Sequence, residues 1–142
     1  RKIELREKLF RYVKQQNISL IISTHELQDI IPWLDQIVVL ENGRLVQNDK
    51  PEETFRNPHN SYVAKLFGEV NIFTDNEMTE FGIRKFSYYP KEIKITETGL
   101  EAEVLESRFA GNYYWNKLRA KEKELVIYTD ERISGSVNIS FF

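Results

Sequence analysis

The residues best placed for chemistry are Thr24-His25-Glu26, which close the apolar run Ile18-Ser19-Leu20-Ile21-Ile22-Ser23. An imidazole at such a point offers one hydrogen-bond donor and one acceptor, and its charge state responds to small changes near neutral pH. That suits contact with a phosphate or a polar substrate. A lone histidine after a strand also reads as a helix-start or surface residue, so residue type alone does not decide its role.

The run that carries His25 predicts a strand buried on both faces, as in a parallel α/β sheet, because apolar residues follow one another without alternation. Ligands of such sheets lie beyond the carboxyl ends of the strands, where His25 would stand. Thr24 is positioned to cap a helix with an apolar stripe at Leu27, Ile30, Ile31 and Leu34, about ten residues long and kinked by Pro32, which lacks a backbone donor.

Upstream, Leu5, Leu9, Tyr12, Val13 and Gln16 fall at helical spacing almost from the first residue, so the chain is expected to begin inside an element. Glu4 with Lys8 and Glu7 with Arg11 form i,i+4 pairs on the opposite face. Downstream, Gln36 to Leu40 and Arg44 to Gln47 flank Glu41-Asn42-Gly43, and Asn-Gly supplies the positive φ values of a tight hairpin. Asp49, Pro51 and Glu52 predict the start of a helix that Pro58 stops soon after Phe55. Asn60 caps a second short helix, with Tyr62, Val63, Leu66 and Phe67 facing inward and Gly68 ending it.

The texture changes near residues 70 to 74. Asp75 to Phe81 suits a helical turn, and short strands are expected at Ile83 to Tyr88, Ile93 to Thr96, Glu101 to Phe109, Asn112 to Arg119, Leu125 to Thr129 and Val137 to Phe141. Gly111 suits a hairpin or bulge. These short strands predict a small antiparallel OB-like β barrel. The fold class is therefore α+β, with an incomplete α/β segment over residues 1–70 and a barrel over 71–142.

Composition narrows the function. A net charge of −2 does not suit a protein whose main partner is nucleic acid, and no cysteine is available for a disulfide, a thiolate metal site or a nucleophile, which points to the cytosol. No apolar run approaches the roughly 20 residues that cross a bilayer. The 41% apolar content supports one domain or two small ones.

In order along the chain, these segments carry a family pattern. Leu5 through Asn71 resembles the last third of an ABC transporter ATP-binding subunit. Ser23-Thr24-His25-Glu26 resembles its switch-histidine loop, Asp35 to Leu40 the strand after it, Glu41 to Gln47 the following hairpin, and Pro51 to Pro58 the next helix. Tyr62 to Asn71 is similar to the ending of importer subunits that carry a further carboxyl-terminal domain. Tyr88-Tyr89-Pro90-Lys91-Glu92-Ile93-Lys94-Ile95 resembles more weakly the Arg-Pro-Glu-Asp stretch of the TOBE-type domain, an OB-like barrel. Tyr89 stands there in place of arginine and Lys91 displaces the glutamate, so no ligand contact is carried over.

The resemblance implies that His25 is both catalytic and cofactor-binding, touching the γ-phosphate of ATP, with no metal ligand among the chain's residues. It implies ATP and Mg as cofactors of the intact parent, and transmembrane permease subunits and a second ATPase subunit as partners. It places the protein in the cytoplasm, peripheral on the inner face of the membrane through the permease. Glu26 reads as structural. The chain has no Gly-x-x-x-x-Gly-Lys-[Ser/Thr] loop, no ABC signature and no acidic strand end for magnesium. It is therefore expected to be a carboxyl-terminal fragment that neither binds nor hydrolyses ATP alone, with no cofactor of its own. Its residue 18–23 strand is expected to be bare at both edges and to drive self-association or rearrangement.

The alternative is a free-standing OB-like module for a small ligand, with residues 1–70 as a dimerisation arm. Tyr113, Tyr114 and Trp115 would then line a pocket, although strand alternation makes at least one of them core. Single-strand nucleic-acid binding through Phe109, Tyr113 and Trp115 fits the charge least.

Overall fold

The amino-terminal helix forms as its spacing predicts: α1 runs Lys2–Gln15 in a computed structural model that describes residues 2–142. The residue it buries is Phe10, whose ring stacks on Trp33 at 5.6 Å. Leu5, Leu9 and Tyr12, the expected inward stripe, are exposed. Salt bridges from Arg6 to Asp29 (3.1 Å) and Lys14 to Asp35 (3.4 Å) hold the helix against the 27–35 segment.

The expected strand at 18–23 is not formed. These residues have no regular secondary structure, and Ile18, Leu20, Ile21 and Ile22 are exposed, Ile21 to 96%. A strand buried on both faces takes its backbone hydrogen bonds and its cover from neighbouring strands, and no described strand pairs with this run. The kinked helix at 27–34 is also replaced, by turns and a single 3-10 helix at Ile31–Trp33. Pro32 has no N–H to donate and disfavours the α conformation at Ile31, so the apolar spacing cannot propagate a helix. Leu27 and Ile30 are buried all the same.

The hairpin is observed: β1 (Ile37–Glu41) and β2 (Arg44–Asp49) pair antiparallel, with Asn42 at φ 50° and Gly43 at φ 73° in the turn. Two short helices follow, α2 (Pro51–Arg56) and α3 (Ser61–Lys65). Asp49 does not cap α2; its carboxylate accepts from Gln47 Nε2 at 3.0 Å. Buried Gln47 also donates to the Asn57 carbonyl (3.1 Å) and accepts from the His59 backbone N–H (2.8 Å), so one amide ties β2 to the link between the helices. Asn60 caps α3 as expected, accepting from Val63 N–H at 3.0 Å, and its Nδ2 donates to Glu41 at 3.1 Å. These elements form a compact unit that ends at Phe67.

Gly68–Phe142 forms a second unit. Two-residue strands β3 (Asn71–Ile72) and β4 (Ser87–Tyr88) pair, and between them lies α4 (Asp75–Phe81). Thr74 and Glu77 close a reciprocal capping box at its start, and Gly82 at φ 65° ends it. Ile83 spends its N–H on the Met78 carbonyl at the helix end, which removes the expected strand at 83–86. Five strands then form one antiparallel sheet: β5 (Ile93–Thr96), β6 (Leu100–Phe109), β7 (Tyr114–Ala120), β8 (Lys123–Thr129) and β9 (Ser136–Phe141), in the order β5-β9-β6-β7-β8. The class is α+β, and the sheet suits a small OB-like domain. Edge strands β5 and β8 are not joined in a ladder, so the sheet does not close into a barrel.

The core of this unit is well filled. Ile93, Leu118, Leu125, Ile127 and Ile139 are each 1% exposed or less. Phe73 meets the rings of Phe81, Tyr88 and Phe141 edge-on, with centroids 5.4, 5.9 and 5.8 Å away. The Asn71 side chain accepts from Val126 N–H (2.7 Å) and donates to the Val126 carbonyl (2.8 Å) and the Tyr88 carbonyl (3.1 Å).

Candidate functional site

His25 sits in a bend, not at the end of a strand, and its side chain is 92% exposed. The local fold follows from Thr24, whose hydroxyl accepts from the Glu26 backbone N–H at 3.0 Å, closing a turn where a helix was expected to start. Glu26 is exposed as well, with Oε1 3.9 Å from His25 Nε2, so it neutralises little and buries nothing. Thr24 and His25 border a depression of about 90 Å³ whose floor is β1, from Ile37 to Leu40, with Tyr62 and Leu66 of the α3 region beside it. The structure thus sets His25 beside β1 in a turn closed by Thr24.

This setting does not by itself fit a nucleotide. Pockets that enclose small ligands measure roughly 300–1,000 Å³, several times this depression. A phosphate cradle needs convergent backbone N–H groups or cations; the lining residues are Thr24, His25, Leu27, Ile37 to Leu40, Tyr62 and Leu66, and His25 is the one among them that can carry a positive charge. Among the described residues no cluster of three or more His, Asp or Glu is disposed to hold a metal ion. His25 contributes an accessible imidazole and little else of a phosphate site.

His59, which sequence reasoning did not single out, is anchored through its backbone N–H, which donates to Gln47, and through Nδ1, 3.1 Å from the Val46 carbonyl. It orders the loop before α3. Its only sequence signal was proximity to Pro58 and Asn60, which reads as turn chemistry.

In the second unit, Tyr113, Tyr114 and Trp115 are half-buried. Trp115 Nε1 and Tyr128 OH both donate to Glu69 Oε2 at 2.9 Å, and Tyr113 lies against Tyr128 with centroids 4.2 Å apart. Burial first, then the Glu69 carboxylate, push the Tyr128 hydroxyl well above the usual phenol range. Arg108 and Lys117 stand over the Trp115 ring at 5.7 and 5.9 Å. The aromatic cluster is therefore engaged with this unit's own charged groups. Near the weaker motif, Glu92 accepts from the Tyr89 N–H at 2.8 Å and pairs with Lys85 at 2.9 Å, so the glutamate shapes the 89–92 turn.

No protein-family model matches the chain. Curated relatives do. A spermidine/putrescine import ATP-binding protein of Vibrio cholerae is 25% identical over 90% of the chain, and one of Borreliella afzelii is 26% identical over 98%. Another, from Borrelia garinii, is 31% identical over 75% of the chain. The chain spans 30%, 37% and 27% of the lengths of these three proteins.

Proposed function

Because the chain is similar nearly end to end to import ATP-binding proteins, consistent with the carboxyl-terminal segment of an ABC importer's ATP-binding subunit, we propose that it supplies the switch-histidine region and the appended β domain of such a subunit. The observation that carries this reading is the reach of the similarity, 98% of the chain against the Borreliella afzelii relative, which takes in residues of both units.

In this reading His25 is the side chain that meets the γ-phosphate once the phosphate loop and magnesium ligands are provided by the rest of the subunit. A neutral imidazole beside developing negative charge holds a hydrogen bond where it counts without a cost of ion burial. ATP and Mg belong to that intact subunit, and residues 2–142 alone neither bind nor hydrolyse ATP. The second unit regulates or stabilises the nucleotide-driven pair of subunits. The partners are permease subunits and a second ATP-binding subunit, and the protein lies on the inner face of the membrane through the permease. No described helix is long and apolar enough to cross a membrane. The relatives' names suggest spermidine or putrescine as the imported solute.

The test is a chimera in which this chain replaces the matching segment of the Borreliella afzelii relative. It is expected to hydrolyse ATP, and His25→Ala is expected to lower kcat by about 100-fold or more, the range of a positioned proton-handling group. A folded chimera without ATPase activity would overturn the assignment; activity unchanged in His25→Ala would overturn the role of His25.

A further inference from the structure

One connection in the second unit crosses the inner face of its sheet without joining it. The order β5-β9-β6-β7-β8 puts two strands between β8 and β9, so the chain from Thr129 to Ser136 has β7 and β6 to cross. Its contacts place it on the inner face. Ile133 packs against the core, and the Arg132 guanidinium lies 5.3 Å over the Tyr114 ring while donating to the Ser107 carbonyl at 2.9 Å. Residues 130–135 have no helix or strand, and among them Ile133 alone is not exposed. At the far end the Gly135 carbonyl accepts from Val104 N–H at 2.8 Å.

This strap runs over a polar pair. It leaves β8 at Thr129, beside Tyr114, and enters β9 at Ser136, beside Glu103. Between those rows Ser107 and Asn116 face each other across β6 and β7, so their side chains share a face. Asn116 alternates with Leu118 and Ala120 on the core side and is 0% exposed. Its Nδ2 donates to the Tyr114 and Ile127 carbonyls (3.0 and 3.3 Å) and to Thr129 Oγ1 (2.9 Å), whose own proton goes to the Glu131 carbonyl. The amide cannot turn over, because that would set its oxygen against two carbonyl oxygens. Asn116 Oδ1 and Ser107 Oγ are both buried without a hydrogen-bond partner. Burying such atoms unpaired is unfavourable, since the bonds they make to water in the open are not replaced.

We propose that residues 130–135 are a lid, latched by Arg132, that opens separately from the sheet and lets water reach Asn116 and Ser107. Ile133, the Arg132 contacts and the Gly135 to Val104 bond hold it closed, and the two unpaired atoms beneath it oppose closure. No strand pairs with the lid, so the β6-β7-β8 ladders stay intact when it lifts. This end of the inner face, with Phe109 and Tyr114 at its rim, becomes accessible without unfolding the unit.

The experiment is native-state amide exchange on the 15N-labelled full chain at neutral pH. Val104, whose N–H is tied to the lid, is expected to be at least about tenfold less protected than Leu118 and Leu125, which pair in the middle of the sheet. Arg132→Ala is expected to lower Val104 protection a further fivefold or so, with Leu118 and Leu125 unchanged. Ser107→Ala, which deletes one unpaired atom and no printed side-chain bond, is expected to raise Val104 protection about fivefold. The proposal is overturned if Val104 is as protected as Leu118 in the parent, if Arg132→Ala changes all three amides equally, or if Ser107→Ala leaves Val104 unchanged or less protected, which would mean that the closed lid satisfies the hydroxyl.

Discussion

Leu118 and Ile21 are apolar residues of equal size in strand-forming sequence, yet one is 0% exposed and the other 96%. The difference lies in where their partners are. Leu118 belongs to the run β6-β7-β8, in which each strand pairs with the next along the chain, and it faces Val104 on one side and Leu125 on the other. Ile21 belongs to a segment that no described strand pairs with. Sequence-adjacent hairpins complete a core from within; a doubly buried strand depends on elements far away.

Substitutions at those two residues give the largest contrast. Leu118→Ala is expected to destabilise the second unit by about 2–5 kcal/mol, the usual range for emptying a filled core site, read as a lower urea midpoint. Ile21→Lys is expected to change stability by less than about 0.5 kcal/mol and so to leave that midpoint nearly unmoved. We propose that the exposed 18–23 run is where copies of the chain associate, so Ile21→Lys should convert a self-associated chain to monomer in light scattering. A parent chain that is already monomeric at high concentration removes self-association from the reading.

A cap gives a smaller test within the first unit. Asn60→Ala removes the bond to Val63 and the tie to Glu41, and is expected to cost about 1 kcal/mol. Faster amide exchange should appear at Val63 and Ala64, with the second unit's sheet unchanged. If the sheet amides accelerate equally, the two units do not respond separately.

The smallest effect is a pH dependence in the second unit. The Thr74 backbone N–H first, then Lys123, hold the Glu77 carboxyl below its ordinary value of 4.5. A carboxyl lowered in the folded state adds stability above its unfolded pKa and loses it as pH falls through the lowered folded value. Unfolding followed from pH 6 down to about pH 3 should show that loss in the parent and a flatter profile in Glu77→Gln. Equal profiles would place the stabilisation elsewhere.

What the sequence made legible were the elements set by local chemistry. Asn42-Gly43 specified the hairpin, Asn60 capped α3, and the 93–96 strand matched its observed bounds. The 100–129 meander was legible because alternation and turn residues lie within a few positions of one another. The strand at 18–23 failed because its pattern states a need for neighbours without supplying them. The helix at 27–34 failed because Pro32 outweighed a correct apolar spacing. The barrel shape was not legible at all, since closure depends on whether edge strands meet, and no short-range pattern encodes that. Of the candidate site, what the sequence did not make legible was the open setting of His25, whose side chain is 92% exposed.

The amide of Asn71 has a consequence for what the second unit avoids. By accepting from the N–H and donating to the C=O of Val126, it stands in for a peptide unit along the outer side of β8, and Tyr128 N–H beyond it is taken by the Pro90 carbonyl at 3.2 Å. A foreign chain approaching β8 finds the middle of that edge, at Val126 and the Tyr128 N–H, already taken, which leaves too short a run for a new strand, a guard that the 18–23 run does not have.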